Sequence, residues 1–150
     1  MLFSQLPPRR SPGGGATQIS GISSFADVAE CTEDSEGVGS DYALTMIGDL
    51  EGCLYAFVET SGCSPSGTYR ETGTEIFVGT YNEMEGTFVT NYRFTAKYKD
   101  CPNLVEEIFG RCQHPIVEGS GTGDFAGVTG RFDIKDEDPA AFPYRGHLRW

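Results

Sequence analysis

At 150 residues with 38% hydrophobic content, the chain is the size of one domain, able to bury about two-thirds of its unfolded surface in one core. A net charge of −11 repels phosphate backbones and anionic lipid surfaces, which argues against nucleic acid and membrane surfaces as partners. The longest clear apolar run, Leu54–Val58, is far short of the ~18 residues that cross a bilayer, so a soluble protein is expected.

Twenty glycines and eight prolines point to many turns and to β structure rather than helix. The first segment, residues 1–16, has three prolines, a Gly-Gly-Gly run and no periodicity. It reads as a disordered tail, or as a remnant foreign to the natural protein, ahead of a single domain over residues 17–150. Arg9 and Arg10 are followed by no apolar stretch, so no signal peptide is recognised there.

From Thr17 to Cys31, β-branched residues and serines predict an irregular first strand. Gly37 to Ser40 makes a turn, after which Tyr42, Leu44 and Met46 alternate with polar neighbours as a strand does. Glycines around Leu50 precede a strand at Leu54–Thr60, closed by the turn residues Ser64-Pro65-Ser66-Gly67. Thr68–Thr80 and Gly86–Lys99 then form a long hairpin about the turn Tyr81–Glu85. Pro102–Phe109 is the one helical candidate, with Pro102 suited to a first turn and Leu104, Val105, Ile108 and Phe109 on one side. Strands at Pro115–Ser120, Gly127–Lys135 and Tyr144–Trp150 complete the count, with Asp136–Phe142 as the last loop.

The stretch Glu118–Phe132, EGSGTGDFAGVTGRF, carries five glycines and leads into the alternation Val128, Phe132, Ile134. Such a run bends the backbone and brings segments close instead of coiling them. About eight antiparallel strands with at most one short helix leave a sandwich or a closed barrel. The last strand, with Tyr144, Gly146, Leu148 and Trp150 on one face, favours an all-β, eight-stranded antiparallel closed barrel, because closure removes exposed edges.

Five cysteines admit two local bridges, Cys53–Cys63 and Cys101–Cys112, with Cys31 left over, against the alternative of five reduced and mostly buried thiols. The compartment, secreted or cytoplasmic, stays open on this count.

Gly48-Asp-Leu-Glu-Gly52, Gly73-Thr-Glu-Ile-Phe-Val-Gly79, Gly86-Thr-Phe88, Gly119–Gly130 and Tyr144-Arg-Gly-His-Leu148 resemble, in order, the signatures of a bacterial family of uncharacterised barrel proteins similar in fold to allene oxide cyclase and the plant dirigent proteins. The resemblance implies an eight-stranded barrel with a cavity reached from one end. In the cyclases that cavity holds a fatty-acid epoxide, and in dirigent proteins it steers the coupling of phenolic radicals. Barrels of this superfamily often associate through outer faces, which leaves a homo-oligomer open. No catalytic set carries over residue by residue, so function has to be argued from the site.

Gly121-x-Gly123-x-x-Ala126 fits a dinucleotide-binding pattern formally, but no helix follows to receive a pyrophosphate, and a bulged barrel corner is the better reading. Cys101, Cys112 and His114 lack zinc-site spacing, and no G-x-S-x-G elbow is present. No cofactor and no metal are expected. Carboxylates set among aromatics are the remaining candidates. Glu71 and Glu75 share a strand face with Tyr69 and Phe77, while Glu51 shares one with Tyr55. Asn91 and Arg93 form the polar face of the following strand. If these faces line a cavity, Glu75 or Glu51 could act as an acid, a base or an anchor for a ligand's polar group. The competing reading is an acidic outer surface, or an inner acid neutralised by Arg93 or Arg131. The expected partner is a small, partly hydrophobic molecule in an aromatic-lined pocket, and the alternative is a cyclase or isomerase that uses a cavity carboxylate.

Overall fold

A computed structural model describes residues 15–27, 30–32, 35–135 and 141–150. The tail expected over residues 1–16 lies almost wholly outside the described residues, and so does most of the Asp136–Phe142 loop. Among the described residues nine strands follow in chain order: β1 (Thr17–Phe25), β2 (Tyr42–Gly48), β3 (Leu50–Cys63), β4 (Thr68–Tyr81), β5 (Met84–Asp100), β6 (Val105–Pro115), β7 (Thr122–Gly123), β8 (Thr129–Lys135) and β9 (Phe142–Arg149). A single 3₁₀ turn, Ser35–Gly37, is the one helical element among the described residues. No helix there is long and apolar enough to cross a membrane.

All pairings are antiparallel. The order β1-β2-β3-β4-β5-β6-β8-β9 returns to β1, so eight strands close into an up-and-down barrel and the two-residue β7 adds to the start of β5. Closure leaves no strand of the eight with an unpaired side. The β4–β5 hairpin is the longest ladder, running from Thr68↔Lys97 to Tyr81↔Met84 around Asn82-Glu83. Asn82 takes a φ of 55°, a left-handed conformation that asparagine tolerates better than most residues.

Alternation sets the interior. On β3 Leu50, Leu54 and Ala56 point inward, on β4 Gly73, Glu75 and Phe77, and on β5 Phe88, Thr90 and Tyr92, all of them buried. One end of the barrel is filled. Phe77 stacks on Phe88 at 5.0 Å, and Phe125, from the glycine-rich corner, meets both rings edge-on at 6.0 and 5.2 Å. Trp150 stacks over Phe125, and its Nε1–H donates to the Asp124 carbonyl at 3.0 Å.

Three sequence expectations need correction. Pro102–Phe109 is no helix: Cys101–Leu104 is a turn with the Leu104 N–H donating to the Cys101 carbonyl at 3.0 Å, and β6 begins at Val105. The edge that β5 presents as far as Asp100 is satisfied by this segment, leaving Leu104, Val105, Ile108 and Phe109 exposed rather than buried on a helix face. The strand expected at Pro115–Ser120 in fact ends at Pro115, followed by an isolated bridge at Ile116.

The cysteine pairing also differs. The bridges are Cys31–Cys53 and Cys63–Cys101, with Cys112 buried and in neither of them, not Cys53–Cys63 and Cys101–Cys112. Cys53 and Cys63 lie ten positions apart on the extended strand β3, about 33 Å at the usual rise, far beyond the reach of a disulfide. Cys63 and Cys101 instead sit at neighbouring turns of the open end, and Cys31 straps the segment before β2 onto the outer face of β3.

Candidate functional site

The barrel's other end holds a cavity of about 680 Å³. It lies among the ends of β1, β5 and β8 and the starts of β2, β4 and β6, so its walls combine Phe25, Tyr42, Tyr69, Phe94 and Phe142 with three carboxylates, Glu71, Glu75 and Glu107. Its size is within the ordinary range for small-molecule sites.

Glu75 anchors its floor. The side chain is 1% exposed, faces inward from β4, and accepts a hydrogen bond from Thr90 Oγ1 at 2.8 Å. The same oxygen lies 2.5 Å from Nδ1 of His114, which reaches it from β6 across the intervening β5. His114 is also 1% exposed, sandwiched between Phe132 at 4.8 Å and Tyr92 at 6.2 Å. Its second nitrogen, Nε2, is buried with no hydrogen-bond partner among the described residues. A buried polar atom without a partner is costly, and it invites a ligand group or a water.

Glu71, two residues before Glu75 on the same face, collects three phenols. Tyr42 and Tyr92 donate to its Oε2 at 3.0 and 2.6 Å, and Tyr69 donates to Oε1 at 2.7 Å. Burial and then the bond to Glu71, with that group's charge, push the Tyr69 phenol up to about 12. Burial foremost, with the contact to Tyr92 and the charges of Glu71 and Glu75 behind it, raises Tyr42 further still. Tyr92 moves the same way, through burial and then its bond to Glu71. The phenols therefore stay protonated and donate to Glu71, with Tyr42 and Tyr92 also in contact with each other.

Of the candidates named from sequence, Glu75, Glu71 and Tyr69 come together in the cavity. Phe77 shares their face but lies one layer deeper, in the packed end. Glu51 is on the exposed outer face. Tyr55 is buried outside the barrel wall, under the strap tied by Cys31–Cys53, with its hydroxyl donating to the Thr32 carbonyl at 2.8 Å. Asn91 and Arg93 are exposed on the outside of β5, where Arg93 donates to Gln113 at 3.3 Å. Arg131 bonds Asp133 at 2.9 Å, so the partner of the inner acid is His114 and neither arginine.

His114, Tyr42, Tyr92 and Thr90 did not emerge as site residues from the sequence. A helix placed over Pro102–Phe109 and a strand begun at Pro115 left His114 between elements. The Cys112, His114 alternation was the signal that it belonged to a strand face.

The fold recurs in a solved structure, that of a protein with unknown function from the DUF3224 family of Shewanella oneidensis MR-1. That structure is similar over 89% of this chain and 97% of its own, with a TM-score of 0.58 and 19% sequence identity, a likeness of fold. No curated protein matches the sequence. Residues 40–145, more than half of the chain and including every strand from β2 to β8, match the family described as "Protein of unknown function (DUF3224)", and the chain belongs to that family.

Proposed function

We propose that the barrel binds a small, partly hydrophobic molecule in its open-end cavity. The observation that carries this reading is the combination, in one 680 Å³ space, of aromatic walls with a buried His114–Glu75 pair whose Nε2 has no partner among the described residues. Apolar walls with a few convergent polar groups are the usual form of a ligand site. Native mass spectrometry of protein purified from its own host tests this. A co-purifying small molecule is expected, and stripping it should lower the melting temperature; absence of any guest across repeated preparations overturns the reading.

A second reading is an enzyme of the cyclase or isomerase class, in keeping with the resemblance to allene oxide cyclase and dirigent barrels. It draws support from the His–Glu contact, since a carboxylate that orients an imidazole through Nδ1 leaves Nε2 available for proton transfer. Two disulfides among the described residues further support residence in an oxidising compartment, as expected of an exported protein.

A further inference from the structure

We infer that the cavity selects an organic cation, a protonated amine carried on an aromatic or apolar body. This inference rests on the ligand-binding reading above and specifies its charge. Among the described residues the walls hold three carboxylates and no lysine or arginine. Glu75 accepts from Thr90 and faces the His114 ring, Glu71 accepts from three neutral phenols and Glu107 from the Tyr98 hydroxyl at 3.2 Å, so none of the three meets a lysine or arginine at these contacts. An anionic guest would enter against that field.

Most polar groups of the lining, the carboxylates and the phenol oxygens, offer acceptors. The three phenols donate to Glu71, and a phenol oxygen that donates also accepts. A neutral imidazole that donates through Nδ1 to Glu75 offers the Nε2 lone pair, in a ring 1% exposed and lining the cavity. An ammonium group has donors only and meets this array without leaving a clash of acceptors. The six rings of Phe25, Tyr42, Tyr69, Phe94, Tyr98 and Phe142 complete the match, because the face of an aromatic ring attracts a cation and the attraction strengthens where water is displaced.

The test uses the full chain and three fluorescent probes that share one body: 1-naphthylmethylamine, 1-naphthylmethanol and 1-naphthylacetate, which are cationic, neutral and anionic at pH 7. Titration followed by naphthalene fluorescence and calorimetry should show the amine binding on the order of tenfold tighter than the alcohol, with the carboxylate weakest. Glu71→Gln should erase most of that preference, bringing the ratio of amine to alcohol affinity down toward one. Should Glu71→Gln fail to fold, Glu107→Gln at the exposed rim is expected to reduce the preference in the same direction. If the alcohol binds as tightly as the amine, or the carboxylate binds best, the cation inference fails and the binding reading stands. If none of the three binds and none shifts the melting temperature, both fail.

Discussion

Nδ1 of His114 and Oε1 of Glu75 lie 2.5 Å apart, bridging β6 and β4 behind the strand that separates them, and both side chains are 1% exposed. Replacing one member of such a pair strands the other in a nearly dry site. His114→Phe should therefore destabilise the barrel by about 3–5 kcal/mol, and Glu75→Gln, which keeps a hydrogen-bonding group, by about 1–3 kcal/mol. The double variant His114→Phe/Glu75→Leu should cost less than the two single effects added together. Urea unfolding midpoints decide the matter. Single-variant losses below about 1 kcal/mol would show that the pair is not buried as described.

The disulfides make a covalent prediction. Non-reducing peptide mapping should recover Cys31–Cys53 and Cys63–Cys101, and Cys112 should react with thiol reagents only after denaturation. Sequence separations of 22 and 38 residues correspond to about 3–4 kcal/mol each in the loop-closure picture, so reduction should lower the melting temperature markedly. Recovery of a Cys53–Cys63 peptide would contradict the strand assignment of β3.

Stability should depend on pH at both extremes. Tyr144, whose hydroxyl donates to the Ile47 carbonyl at 2.9 Å and accepts from the Leu50 N–H at 2.9 Å, is pushed by burial from 10.0 up to about 12. The folded protein keeps a proton that the unfolded chain releases, so this contribution is whole below pH 10 and is lost as pH rises through about 12. Tyr69 acts in the same window and the same direction. Asp133 behaves oppositely. Burial alone would raise its carboxyl, but hydrogen bonds from Arg111 and Arg131, reinforced by their charges, outweigh that and hold it below 3.8. Its contribution is present above 3.8 and is lost as pH falls below that value. Phenolate absorbance should lag behind free tyrosine until the alkaline unfolding transition. A phenolate signal in still-folded protein that matches free tyrosine near pH 10 would refute the burial of these hydroxyls.

Two glycines of the corner make a matched pair. Gly130 has a φ of 129° and its added methyl would overlap the His147 carbonyl oxygen on β9, whereas Gly127, at a φ of 86°, has open space around it. Gly127→Ala should thus cost about 1 kcal/mol of backbone strain, and Gly130→Ala roughly 3 kcal/mol or more, because strain adds to a steric conflict inside the ladder. Equal costs in thermal unfolding would mean that the close approach of β8 and β9 is not real.

Alternation and turn chemistry made most of the barrel legible. Phe88, Thr90 and Tyr92 announce one face of β5, glycine-rich punctuation separates the strands, and Glu71, Glu75 and Tyr69 fall on one side of β4 because side chains two apart must. The segment 102–109 was not legible, since a short apolar stretch with β-branched residues suits either period until a neighbouring strand edge claims it. With β6 misplaced, His114 could not be joined to Glu75.

Local residue order thus determined which elements form and which side chains share a face, because backbone geometry sets a period of two without reference to the rest of the chain. The tertiary structure alone decided which face turns inward, which cysteines meet and which acid finds the histidine. Those outcomes depend on closure, which brings β4, β5 and β6 side by side, and the turns at residues 64–67 and 101–104 to one rim, across separations that no local pattern encodes.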